Sequence, residues 1–191
     1  DQGIDNEREK HLPCYYKHHQ LEKHYQMDLV VDDIIVELKS VSLPKLTEFK
    51  TFYFSYISAL TEIDLSHTSY IEKAEFISGI ALTNIKLPSE VKDLTLNGAS
   101  KEIPIPYLEG VEKIKGTLYI TNYKISSINL PLIKEIGTYQ HSSVTGLQTL
   151  SFPDLEKIGT FSLSDTNINT LYTPHLTVIE TLKWNSCYNL T

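Results

Sequence analysis

The chain has 191 residues, of which 41% are hydrophobic and 21% charged, and its formal charge is -7. Adding the eight glycines gives an apolar share of about 45%, ordinary for a globular protein and far from disordered or collagen-like composition. No apolar run approaches the ~18 residues of a spanning helix, so no integral membrane segment is expected, and the negative charge argues against nucleic acid as a partner and against an anionic membrane surface.

Two scarcities add to this. Met27 is the only methionine, which leads to the expectation that a leader was removed or the chain trimmed. Arg8 is the only arginine, so the body lacks the preferred two-point fork for carboxylates and phosphates.

Residues 1–33 are rich in His, Lys, Glu and Tyr and read as an N-terminal tail and cap. The segment from Cys14 to Gln26 is compatible with a short helix, with Pro13 near its start and Leu21 and Tyr25 on one face. His11, Cys14, His18, His19 and His24 crowd this stretch, but their spacing is not that of a zinc finger and a solvated polar cap is expected. Asp28, Asp32 and Asp33 lack the glycine turn and further oxygens of a calcium loop. Consecutive Asp32-Asp33 fit a turn between strands. Neither metal nor cofactor is expected. Cys14 and Cys187 stand 173 positions apart, too far to bridge in an elongated fold, and are read as free or partly buried thiols.

From residue 34 onward the chain repeats itself. An apolar residue, usually followed by proline, falls at Leu43, Leu65, Leu87, Ile105, Leu130, Phe152 and Thr173, in steps of 22, 22, 18, 25, 22 and 21. The blocks Ile133-Lys134-Glu135-Ile136-Gly137-Thr138-Tyr139 and Leu155-Glu156-Lys157-Ile158-Gly159-Thr160-Phe161 show the other half of the unit. Each unit holds two short stretches of period two, such as Phe161-Ser162-Leu163 and Ile128-Asn129-Leu130, which read as half-buried strands. Strands this short are stable only when stacked turn upon turn. The predicted fold is mainly β: a right-handed parallel β-solenoid over residues 34–191, nearly free of helix. Seven to eight turns of roughly 22 residues, at about 4.8 Å per turn, give a rod about 35 Å long. Gly116, Gly137 and Gly159 form a column read as a corner with an unusual backbone angle. The run Trp184 to Thr191 opens another half-turn, so the chain is expected to stop in mid-pattern, as a truncated piece of a longer protein or with a partner over that end. It closes on the glycosylation sequon Asn189-Leu190-Thr191, a match that nine asparagines produce by chance.

The runs Leu60-Thr61-Glu62-Ile63-Asp64-Leu65-Ser66-His67-Thr68 and Leu150-Ser151-Phe152-Pro153-Asp154-Leu155-Glu156-Lys157-Ile158 resemble irregular leucine-rich repeats, in particular BspA-like surface repeats, and are similar to receptor L-domains. The repeat asparagine is irregular, with Asn122 and Asn185 at the position after the strand and Ser66 and Ser164 standing in elsewhere. The resemblance implies an extracellular or cell-surface recognition domain and no particular ligand. The repeat is compatible with a curved horseshoe and with a straighter β-helix.

Alternation gives the outward positions. One strand stack presents Tyr53, Tyr119, Gln140, Ser162 and Lys183, and the other Asp64, Lys86, Asn129, Ser151 and Tyr172. Tyrosines on a rigid polar sheet are candidate anchors for a partner, so Tyr53, Tyr119, Gln140, Lys183 and Tyr172 are the candidate ligand contacts. The threonine column Thr117, Thr138, Thr160 and Thr181 reads as a β-branched ladder, since Tyr119, Gln140, Ser162 and Lys183 stand where an ice-binding face would need a second threonine. His141 points inward by register, like Leu163 and Trp184. With no nucleophile, phosphate-loop or zinc-protease signature, a non-catalytic module binding a protein or glycan is expected. The alternatives are a structural spacer in a larger surface assembly and a carbohydrate-active enzyme on a β-helix.

Overall fold

A computed structural model describes residues 11–16, 19–26, 30–31, 34–35, 40–42, 47–55, 60–77, 81–164 and 168–185. The chain divides into two compact units, Asp1–Lys39 and Ser40–Thr191, so residues 34–39 group with the first.

In the first unit β1 (His11–Tyr16) and β2 (His19–Gln26) pair antiparallel, from His11 opposite Gln26 to Tyr16 opposite His19. The helix expected over Cys14 to Gln26 is therefore corrected to two strands. Leu21 and Tyr25 lie four apart, which satisfies period two as well as period 3.6. Tyr and His are weak helix formers, and a lone short helix is marginal without a packed face. Pro13 is accommodated where the register shifts between Pro13 and Cys14. The short β3 (Val30–Val31) and β4 (Ile34–Ile35) also pair antiparallel.

The second unit is a parallel β-solenoid. Its long strands are β6 (Glu48–Ser55), β8 (Tyr70–Ile77), β11 (Asp93–Lys101), β13 (Lys113–Tyr123), β15 (Glu135–Ser142), β17 (Lys157–Ser164) and β19 (Val178–Asn185), side by side in that order. The two-residue β10 (Glu90–Val91) leads into β11 and pairs with β13. The short strands form two further sheets. One contains β5 (Ser40–Ser42), β7 (Glu62–Asp64), β9 (Asn84–Lys86) and β12 (Tyr107–Glu109), and the other β14 (Ser127–Asn129), β16 (Thr149–Ser151) and β18 (Thr170–Tyr172). Every pairing in these three sheets is parallel. Seven long strands are joined by six turns among the described residues, slightly fewer than the seven to eight expected, and no helix is present among them.

Register aligns the apolar positions of each turn into inward columns. Ile71, Val91, Ile114, Ile136 and Ile158 form one, and Leu94, Leu118, Tyr139 and Phe161 another, all buried. His141 is buried, as its register implied. Tyr139 meets Phe152 and Phe161 edge to face, with centroids 5.3 and 5.4 Å apart, a favoured aromatic geometry. Its hydroxyl is buried and finds no hydrogen-bond partner among the described residues.

The glycine column has a different cause from the one expected. Gly137 and Gly159 sit inside strands, at a bend where the inward positions step by three, from Ile136 to Tyr139 and from Ile158 to Phe161. Strand β13 takes one residue more, since its register shifts between Ile114 and Thr117. No positive φ is involved. A Cβ on Gly137 would collide with the Lys115 carbonyl oxygen and stand 2.6 Å from that of Gly116, and one on Gly159 would stand 2.5 Å from that of Gly137. Close packing of successive bends excludes a side chain. Gly110 and Gly146, at φ 86° and 84°, are the glycines whose backbone angle L residues avoid.

Gly110 also corrects the phase of the repeat. Leu108 lies opposite Ile85, and Glu109 opposite Lys86, so Gly110 and not Ile105 succeeds Leu87. The steps there become 23 and 20. Three residues at Gly98-Ala99-Ser100 interrupt the ladder between Asn97 and Lys101, and Ala99 and Ser100 have φ of 49° and 61°. The asparagine positions are corrected likewise. Asn185 shares its register position with Ser164, whereas Asn122 stands one residue past Thr121, at φ 56°. Ser66 belongs to the opposite corner, after β7, where its amide donates to Asp64 Oδ1 at 3.0 Å.

Candidate functional site

The candidate contacts fall on two separate sheets. Tyr53 lies opposite Glu75, Glu75 opposite Thr95, Thr95 opposite Tyr119, and Tyr119 opposite Gln140. Lys183 closes the same column, opposite Ser162. Four of the five predicted residues therefore share one column spanning the seven long strands, about 29 Å long at ~4.8 Å per strand. Tyr172 does not join them, because it stands on β18 beside Ser151.

The four aligned residues differ in availability. Tyr53 is 58% exposed. Gln140 and Lys183 are exposed. Tyr119 is half-buried, and its Oη shares a 2.6 Å hydrogen bond with Ser142 Oγ on the next strand. Ser142 Oγ in turn lies 3.0 Å from Thr121 Oγ1. Tyr119 is thus tied into a hydroxyl network and is not an upright anchor. Sequence reasoning placed the ring on the right face but had no signal for the bond, which depends on distance between neighbouring strands.

The threonine column flanks this one. Thr117 is opposite Thr138, Thr138 opposite Thr160, and Thr160 opposite Thr181. At the head of the column Asp93 Oδ1 accepts the Thr117 amide at 2.7 Å, replacing a ladder acceptor at the bulge. The two columns together carry charge unevenly. On β8 and β11 they include Lys73, Glu75 and Asp93, with Lys73 Nζ 3.3 Å from Glu75. On β13, β15, β17 and β19 their only charge is Lys183. Most ion pairs lie elsewhere and link successive turns, such as Lys134 to Glu112 at 2.9 Å and Lys92 to Glu72 at 3.0 Å. The hydrogen bond that each lysine donates to its partner glutamate raises the pKa of these lysines. Exposed pairs of this kind mark the register of turns more than they stabilise them.

A shallow cleft of about 760 Å³ lies beside the start of β14, lined by Ile103, Ile105, Lys124, Ile125 and Ser127 among others. No group of three or more metal-ligating side chains occurs among the described residues. His18, Asp28, Asp32, Asp33, Cys187 and the Asn189 sequon lie outside the described residues. No helix is long and apolar enough to cross a membrane among the described residues.

The stacked turns, the two strand sets and the repeat length define a leucine-rich-repeat solenoid. The chain belongs to the BspA type leucine rich repeat family, which matches residues 35–101 and 99–191 in six copies, as the sequence resemblance implied. A second family, the PD-(D/E)XK nuclease superfamily, matches residues 1–62, about a third of the chain. Glu37-Leu38-Lys39 spells the acid-x-lysine of that family's name, a signal the reading of Asp28, Asp32 and Asp33 passed over. These three residues also lie outside the described ones. No curated protein and no solved structure matches the chain.

Proposed function

We propose that this protein is a non-catalytic, secreted or surface-displayed recognition module that binds a protein or glycan through the outward face of its seven long strands. The observation that carries the reading is the column from Tyr53 to Lys183, on strands held in parallel register over a packed core. A face ordered before binding loses little conformational freedom on association. Repeat membership supports an interaction role, since solenoids of this kind present extended surfaces. The test is binding of the purified chain to an array of extracellular proteins and glycans, repeated with Tyr53→Ala and Gln140→Ala. Saturable binding weakened by either change, with unaltered thermal unfolding, supports the reading. A blank from folded protein transfers the role to a spacer in a larger assembly.

The match at residues 1–62 favours a second reading for that segment alone: a nuclease-type element joined to the repeats. DNA cleavage by the chain that is lost in Glu37→Gln and retained in Tyr53→Ala supports it, and absence of cleavage removes it.

A further inference from the structure

We infer that the partner of this face is a neutral, hydroxyl-rich polysaccharide lying across strands β13, β15, β17 and β19. The inference rests on the recognition reading above and narrows it to one ligand class and one half of the sheet.

The first observation is charge. The chain carries -7 overall, yet the two outward columns of these four strands hold no carboxylate and one cation, Lys183. Within the two columns the carboxylates, Glu75 and Asp93, stand on β8 and β11; Glu135 and Glu180, on β15 and β19, lie outside them. Elsewhere acidic side chains pair with lysines between turns. Within these columns an anionic ligand would find a single lysine and no arginine, since Lys115 and Lys157 outside them are paired with Glu135 and Glu180, whereas a neutral one forces no charge out of water.

The second is the chemistry of the side chains. Threonine, serine, glutamine and tyrosine offer both donors and acceptors at each strand, matching the mixed hydroxyl chemistry of sugars. The Tyr119, Ser142 and Thr121 hydroxyls are already held by one another, at 2.6 and 3.0 Å. The third is what the patch lacks. Protein interfaces concentrate their energy in aromatic and arginine anchors within apolar pockets. The ring of Tyr119 is the one aromatic surface in these columns, and it is half-buried. Tyr53, the exposed tyrosine of the column, stands three strands away. Strands about 4.8 Å apart offer polar groups at close to the length of one sugar residue in an extended chain.

The experiment is affinity electrophoresis of the full chain through gels containing β-glucan, xylan, mannan or, as the anionic counterpart, polygalacturonate. Extracellular proteins are tested in parallel on an array. At least one neutral polysaccharide should retard the protein, and polygalacturonate should not. Ser162→Glu, which places a carboxylate in the middle of the patch, should weaken retardation about tenfold or more, and Gln140→Ala about tenfold, the loss of one or two hydrogen bonds. Lys86→Ala, on the short-strand sheet of β9, should leave it unchanged, and unfolding curves confirm that each variant is folded. Retardation that survives Ser162→Glu in folded protein overturns the inference, as does retardation by polygalacturonate alone. If no polysaccharide binds but a protein does, and Gln140→Ala weakens it, the inference fails and the recognition reading stands. If nothing binds, both fail.

Discussion

Replacing Tyr139 by phenylalanine should make the protein more stable. The ring is enclosed by Phe152 and Phe161, and its hydroxyl is buried without a hydrogen-bond partner among the described residues. A buried hydroxyl left unsatisfied costs about 1–3 kcal/mol. Deleting one oxygen leaves a void of roughly 10 Å³, which costs about 0.2 kcal/mol at ~24 cal/mol per Å³. The net gain is about 1–3 kcal/mol, or a rise in Tm of about 2–12 °C for a unit of this size. Alkaline pH provides an independent check. Burial raises the pKa of Tyr139, and of Tyr123, above the ordinary tyrosine value. Above pH ~10 the unfolded chain releases protons that the folded one retains, so stability is full below that pH and falls as pH rises. Each such tyrosine steepens the fall by about 1.4 kcal/mol per pH unit. Tyr139→Phe should therefore widen its advantage over the parent protein above pH 10. Urea titrations between pH 8 and 11 measure both effects. A variant less stable than the parent at pH 8, or one with the same alkaline slope, refutes the reasoning.

Gly137→Ala should destabilise by about 1–3 kcal/mol, because the added methyl meets two backbone carbonyls of the preceding turn; urea unfolding reports the loss. Phe161→Ala, which removes a fully buried ring packed against Tyr139 and Phe152, should cost about 3–5 kcal/mol by the same assay. Asp93→Ala removes the acceptor of the Thr117 amide and should cost about 1–3 kcal/mol, while Asp93→Asn retains an oxygen and most of the stability; faster hydrogen exchange at Thr117 in the alanine variant alone would confirm the cause.

Much of this architecture was legible in the sequence because a solenoid writes its period directly into the chain. Thr117, Thr138, Thr160 and Thr181 stand one above another in the structure, and the column from Tyr53 to Lys183 follows from alternation alone. What escaped depended on distances between turns. Ile105 carries the proline mark of the repeat, yet the strand column passes through Gly110, because the interruption after Asn97 displaces the phase. The glycines at 137 and 159 were recognisable as a column, but their cause is a neighbouring carbonyl that no linear pattern records. Leu21 and Tyr25 satisfied two periodicities at once, and pairing of β1 with β2 decided between them. The charge-poor half of the sheet face was present in the sequence but became visible only when the two columns were set side by side.

The parallel register of the seven long strands also determines how the fold responds to force. Tension between Ser40 and Asn185 loads the ladder bonds one turn after another and not as a block, since each long strand bonds only its immediate neighbours in the stack. The solenoid should yield like a zipper opened from an end. Each turn of about 22 residues would release about 75 Å of chain at ~3.4 Å per residue. A module built this way absorbs extension in equal increments, and the turns still stacked keep their part of the face intact.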